Sequence, residues 1–147
     1  MKVSKLIKIT GSELLTVRPQ DRVVDIAKQF EQKHRGLAVV CDDDGRAVGV
    51  VSLGDIVHAI GERGAEALEL PVRMLMTLEV VVCEPDEDLD TVVKRMHDRG
   101  FRYLPVVQDG KPFALIEERQ ALEVMYEEQG LDFAQLRNYV FKTGGRY

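Results

Sequence analysis

Gly49-Val50-Val51-Ser52-Leu53-Gly54-Asp55-Ile56-Val57 reads as a short apolar strand that ends on a serine and passes directly into a helix. Asp55 follows Ser52 by three residues, so both side chains gather about the helix's first turn. That turn carries unpaired N–H groups and the positive end of the helix dipole, a seat for an anion, and a nucleotide is the expected occupant. The same residues spell a capping box, with Ser52 as N-cap and Asp55 folding back onto the cap's own N–H. Within this stretch the cap is the simpler reading, because such boxes open many helices. A ligand has to be argued from the rest of the chain.

Size and composition set the limits. A chain of 147 residues, 45% of them hydrophobic, buries a real core as one domain or two small units sharing an interface. The formal net charge of −5 argues against a nucleic-acid or anionic-membrane binder, which needs a basic face. No apolar run approaches the roughly 20 residues of a membrane helix. Met1 to Leu15 lacks the continuous apolar stretch and small-residue cleavage site of a signal peptide. Cys41 and Cys83 each end a β-type run and have no third or fourth cysteine nearby, so both are expected reduced and buried, in the cytoplasm.

Taken in order, residues 1–14 read as a loosely patterned arm. Leu15-Thr16-Val17 is a short strand stopped by Pro19, and Val23, Ile26, Ala27 and Phe30 form a helical stripe. Leu37 to Cys41 is a β run of the kind buried on both faces. Asp42-Asp43-Asp44-Gly45 turns it back into Ala47–Val51, and Ser52 opens the next helix. After a connector over 62–77 the pattern starts again. Val80 to Cys83 is read as a strand, Pro85 stands where Pro19 stood, and Leu89, Val92, Val93 and Met96 repeat the stripe. Tyr103 to Val107, a turn at Asp109-Gly110, Phe113 to Ile116 and a helix from about Glu117 to Glu128 complete the second copy. The expected units are thus 15–61 and 78–128, two strand–helix–strand–strand–helix copies offset by about 66 residues. A half of this size is marginal alone, so the copies are expected to pack sheet to sheet about an approximate two-fold axis, an α/β (α+β) architecture with two clefts. The tail over 129–147 carries Phe133, Leu136 and Val140 at helical spacing, read as an amphipathic segment.

With the repeat in place, the chain resembles the tandem CBS-domain pair, or Bateman module. Gly49 to Asp55 is similar to that family's Gly-h-x-Thr/Ser-x-x-Asp signature, and Leu104-Pro105-Val106-Val107 to its second-strand pattern. The resemblance implies a regulatory, non-catalytic module that binds AMP, ADP, ATP or S-adenosylmethionine, needs no obligatory cofactor, and works as a homodimer on another protein. Carried onto this sequence, Asp55 would accept from the ribose hydroxyls, Ser52 and the amides after it would hold phosphate, Gly54 would let phosphate approach and Val50 would touch the base. From the opposite copy, Val80 and Val81 would line the adenine slot, and Arg102 and Tyr103 would flank the phosphate end.

The second copy departs from the signature. Glu117 stands for Ser52, Arg119 for Gly54 and Gln120 for Asp55. A carboxylate about 4 Å from a phosphate costs roughly 4 kcal/mol at an effective dielectric of 20, so one competent site per chain, at Asp55, is expected. No metal site is expected either. His34 and His97 suit helix C-termini, His58 with Glu62 is a helix-surface pair, and Asp42–Gly45 lacks the twelfth-position glutamate of a calcium loop, where Leu53 stands. The rival reading is a scaffold of the same fold in which Ser52 and Asp55 only cap a helix. An enzyme has no support beyond abundant carboxylates.

Overall fold

Pro19 and Pro85 open the two halves of the chain with the same turn. After each, an acid folds back on the backbone. Asp21 accepts from the Arg18 N–H at 2.9 Å, and Glu87, 66 residues on (21 to 87), accepts from the Glu84 N–H at 2.7 Å. The computed structural model describes residues 1–130, and the amphipathic tail expected beyond lies outside the described residues. The elements run α1 (Val3–Thr10), β1 (Thr16–Val17), α2 (Val23–Lys33), β2 (Leu37–Cys41), β3 (Ala47–Ser52), α3 (Leu53–Arg63), α4 (Leu89–Arg99), β4 (Tyr103–Gln108), β5 (Lys111–Glu117) and α5 (Glu118–Glu128). The connector holds two 3-10 segments, Gly64–Glu69 and Val72–Met74.

The expected stripes are the buried faces of α2 (Val23, Ile26, Phe30) and α4 (Leu89, Val92, Val93, Met96). Each hairpin returns as its turn residues dictate. Asp42 ties its turn by accepting from the N–H groups of Asp44 and Arg46. Asp109 and Gly110 both take positive φ, 55° and 78°, the two-residue turn that Asp-Gly favours. Even the register irregularities match, falling at Val40/Cys41 and at Val106/Val107.

The strand expected over Val80–Cys83 is not there. β1 pairs in parallel with β2, Val17 against Val40, whereas the second copy keeps one isolated bridge, Cys83 against Val106. The reason lies on the facing strand. Val39 donates its N–H to the Leu15 carbonyl at 2.9 Å, but its counterpart is Pro105, which has no N–H to give. Only the bonds on either side of Cys83 remain, Cys83 N–H to the Pro105 carbonyl (3.0 Å) and Val107 N–H to the Cys83 carbonyl (2.9 Å). The sheets are therefore three-stranded (β1-β2-β3) and two-stranded (β4-β5).

Each half is completed by the segment that precedes the other half. α1 docks on the second copy: Val3 and Leu6 join the core of Leu89, Val92, Met96, Leu104 and Val106. The connector docks on the first, where Val72 joins the core and Leu68, Leu70 and Leu75 pack against it. The backbone bonds correspond one for one. Val3 N–H meets the Glu87 carbonyl as Val72 N–H meets that of Asp21. Ser4 meets Pro85 as Arg73 meets Pro19, and Leu89 meets Met1 as Val23 meets Leu70.

Side chains alternate across a strand. Ala38 and Val40 face the first core, so Val39, fully buried and belonging to neither core, faces the other way. Val107 and Leu115 do the same in the second copy. The two sheets bury these faces against each other. Arg46 reaches the Asp109 carbonyl (3.2 Å), and Arg35 the Glu117 carboxylate (3.3 Å), across the junction. Both cysteines are buried and free. Burial pushes the Cys41 thiol up and the Cys83 thiol to about 12, which keeps both from thiolate chemistry near neutral pH.

Candidate functional site

The β3–α3 junction is a capping box, complete in both directions. Asp55 N–H donates to Ser52 Oγ at 3.1 Å and Ser52 N–H donates to Asp55 Oδ2 at 2.8 Å. The junction also forms one wall of a cavity of about 1250 Å³ between the copies. Cap and cavity share the same residues.

From the first copy the wall takes Val50, Ser52, Leu53, Gly54, Asp55 and Val57, with Phe30, Glu31 and His34 to Leu37 from the end of α2 and the start of β2. From the connector and second copy come Thr77, Glu79, Val81 and the run Arg99 to Pro105. Of the residues expected at a ligand, Val50, Ser52, Gly54, Asp55, Val81, Arg102 and Tyr103 are brought together here. Val80 is not in the wall. With no ladder beyond Cys83, Glu79 and Val81 take the places on either side of it. Glu117, Arg119 and Gln120 also lie outside this wall.

The anion seat at the head of α3 is narrower than its first turn suggests. The Leu53 N–H donates to the Gly36 carbonyl at 2.9 Å and the Asp55 N–H is spent on Ser52. The Gly54 N–H alone has no partner among the described residues. The seat at the head of α5 follows the same plan, with the Glu118 N–H on the Arg102 carbonyl at 3.0 Å. There, however, Glu117 makes no cap. Its carboxylate holds Arg35, which is 16% exposed and also bonds Glu13 at 3.0 Å. The charge expected to repel a phosphate is matched by a guanidinium of the opposite copy.

Several wall residues were beyond sequence reasoning. Thr77 pairs with Val50 in both directions (3.0 and 2.8 Å), adding an edge to β3 beside the site. Arg99 bonds Glu79 at 3.1 Å and lies 5.2 Å from the centre of the Phe101 ring. The one signal for the connector's crossing is Gly49. A Cβ built there would lie 2.8 Å from Met76 Sδ and 3.1 Å from the Thr77 carbonyl oxygen. Alanine usually gains about 0.5–1 kcal/mol over glycine within a strand. Here crowding of about 1–3 kcal/mol outweighs that, so Gly49→Ala should lose about 1 kcal/mol in chemical denaturation. A gain in stability would mean that the connector does not press on β3.

Among the described residues no cluster of His, Cys, Asp and Glu could hold a metal ion. No described helix is long and apolar enough to cross a membrane.

Comparison with known proteins bears on the same residues. The CBS-domain family model matches residues 6–62 and 72–127. An uncharacterized 17.7 kDa protein of Acidianus ambivalens is 26% identical over 142 residues, covering 96% of this chain and 85% of its own length. The crystal structure of a CBS-domain protein from Agrobacterium tumefaciens superposes with a TM-score of 0.76 at 28% identity, covering 83% of this chain and 91% of that one. A CBS domain pair in complex with 5′-methylthioadenosine and S-adenosyl-L-methionine, 18% identical, shares the fold with a TM-score of 0.75, covering 87% and 98%. The duplicated half, the sheet pairing and the two matched segments all agree: the chain belongs to the CBS-domain family, as a tandem pair.

Proposed function

We propose that this chain is a regulatory module that binds one adenosine-containing ligand in the Asp55 cavity, of the class of AMP, ADP, ATP or S-adenosylmethionine, and passes the result on by changing its association with another protein. The observation that carries the reading is the placement of Asp55. Its Oδ2 is committed to the Ser52 N–H, while Oδ1 takes no bond among the described residues and the side chain lines a cavity walled by both copies. A carboxylate oxygen with free lone pairs suits a ribose diol. Ser52 accepts through Oγ and keeps its own proton to donate. That a CBS pair of the same fold is in complex with two adenosine derivatives supports the class of ligand. A homodimer belongs to the same proposal, checked by mass in solution.

A second reading has its own observation. The capping box is complete, so Ser52 and Asp55 are explained without any ligand. Melting with a panel of adenosine ligands separates the two. A ligand at 100 times its Kd adds about 2.7 kcal/mol, or about 5–10 °C in Tm for a chain of this size. A panel that leaves Tm unmoved at millimolar concentration favours the scaffold.

A further inference from the structure

We propose that the cavity selects an adenosine whose 5′ group is apolar or cationic, a thioether or a sulfonium, over one that carries a polyphosphate. The inference rests on the Asp55 reading and concerns what lies beyond the ribose. A polyphosphate brings several negative charges and needs several donors and cations to receive them. Two of the three leading N–H groups of α3 are already bonded, to Gly36 and to Ser52, which leaves the Gly54 N–H and the Ser52 hydroxyl as the donors of this turn.

The cations are matched in the same way. Arg99 is on Glu79, and Arg35 is on Glu117 and Glu13, so Arg102 is the one wall guanidinium without a carboxylate partner among the described residues. Against it stand Glu31 and Asp55, also in the wall. Exposed pairs such as Arg99–Glu79 rearrange at little cost, but turning Arg99 toward a phosphate leaves the Glu79 charge nearby. The field met by the ligand is therefore balanced or negative. The neighbours of Asp55 along α3 point the same way: Leu53 and Val57 line the cavity while 54% and 61% exposed. Such side chains cover an apolar 5′ group well and a phosphate chain poorly. Tyr103, also in the wall, suits a sulfur atom at its ring edge or a sulfonium over its face, and Phe101, whose ring already carries Arg99, suits a sulfur at its edge.

The test is calorimetric titration of the full chain with 5′-methylthioadenosine, S-adenosylmethionine and ATP. The expected result is that one of the sulfur ligands binds at least about tenfold more tightly than ATP. ATP binding as tightly as either overturns the selection and leaves the Asp55 reading standing. Binding of none of the three, nor of AMP or ADP titrated beside them, removes the Asp55 reading itself. Glu79→Gln supplies an independent arm by freeing Arg99 and deleting one negative charge. The ratio of ATP to S-adenosylmethionine affinity should then move toward ATP by about tenfold, and an unchanged ratio rejects the charge argument.

Discussion

Asp55→Ala should weaken adenosine-ligand binding by about tenfold or more, because a hydrogen bond to a charged group is worth about 1.5–3 kcal/mol. The same change opens the capping box, so the variant should also melt earlier, by the roughly 0.5–2 kcal/mol that a lost cap costs. Asp55→Asn separates the two effects. Its amide oxygen can still accept from the Ser52 N–H, now 2.8 Å from Asp55 Oδ2, so stability should stay close to that of the parent while affinity falls. Gln120, the counterpart in the second copy, lies outside the cavity wall, and Gln120→Ala should change binding little. If Asp55→Ala melts earlier yet binds as well as the parent, the carboxylate is a cap and nothing more. Equal losses from Asp55→Ala and Gln120→Ala would overturn the assignment of one site per chain.

The second large effect is expected far from the cavity. Leu6 lies on α1, is 1% exposed and packs into the core of the second copy. Leu6→Ala should cost about 2–5 kcal/mol, a large share of the 5–15 kcal/mol that holds a typical domain together. A helix of eight residues does not hold itself in water, so α1 depends on this docking. Ile9 is on the same helix but 55% exposed, and Ile9→Ala should stay within about 0.5 kcal/mol. Urea denaturation of both variants is the check. A Leu6→Ala protein as stable as the Ile9→Ala protein would show that α1 is an ornament on the second copy and not part of its core.

What could be read from the sequence was what local pattern controls. The stripes Val23–Phe30 and Leu89–Met96 follow from the 3.6-residue period, and the hairpins from Asp-Gly and Asp-rich turns. Pro19 and Pro85 fix the phase of the repeat. The loss of the strand before Pro85 was also legible in principle, since Pro105 occupies the place of Val39 and no proline can supply that rung. What stayed hidden depends on tertiary placement. Nothing local tells Leu6 to join Leu89 and not Val23, or pairs Arg35 with Glu117 across 82 positions. For the site, the signature residues Ser52, Gly54 and Asp55 could be named because the strand-to-helix junction is local. Thr77 could not, because the connector reaches the wall only by crossing β3 at Gly49, nor could Glu79 and Arg99, which reach it from beyond the connector and from the end of α4.

The crossed docking of α1 and the connector has a consequence for how such a chain can change over time. A lone second half would stand without α1, its own helices bare where that segment belongs. A lone first half keeps its roof only if it carries the connector that leads into the other copy, so the duplication cannot be undone by a cut at the bounds of the repeat. Even a first half that keeps Thr77 on that strip would forfeit its pocket, whose far wall runs from Arg99 to Pro105 of the other copy.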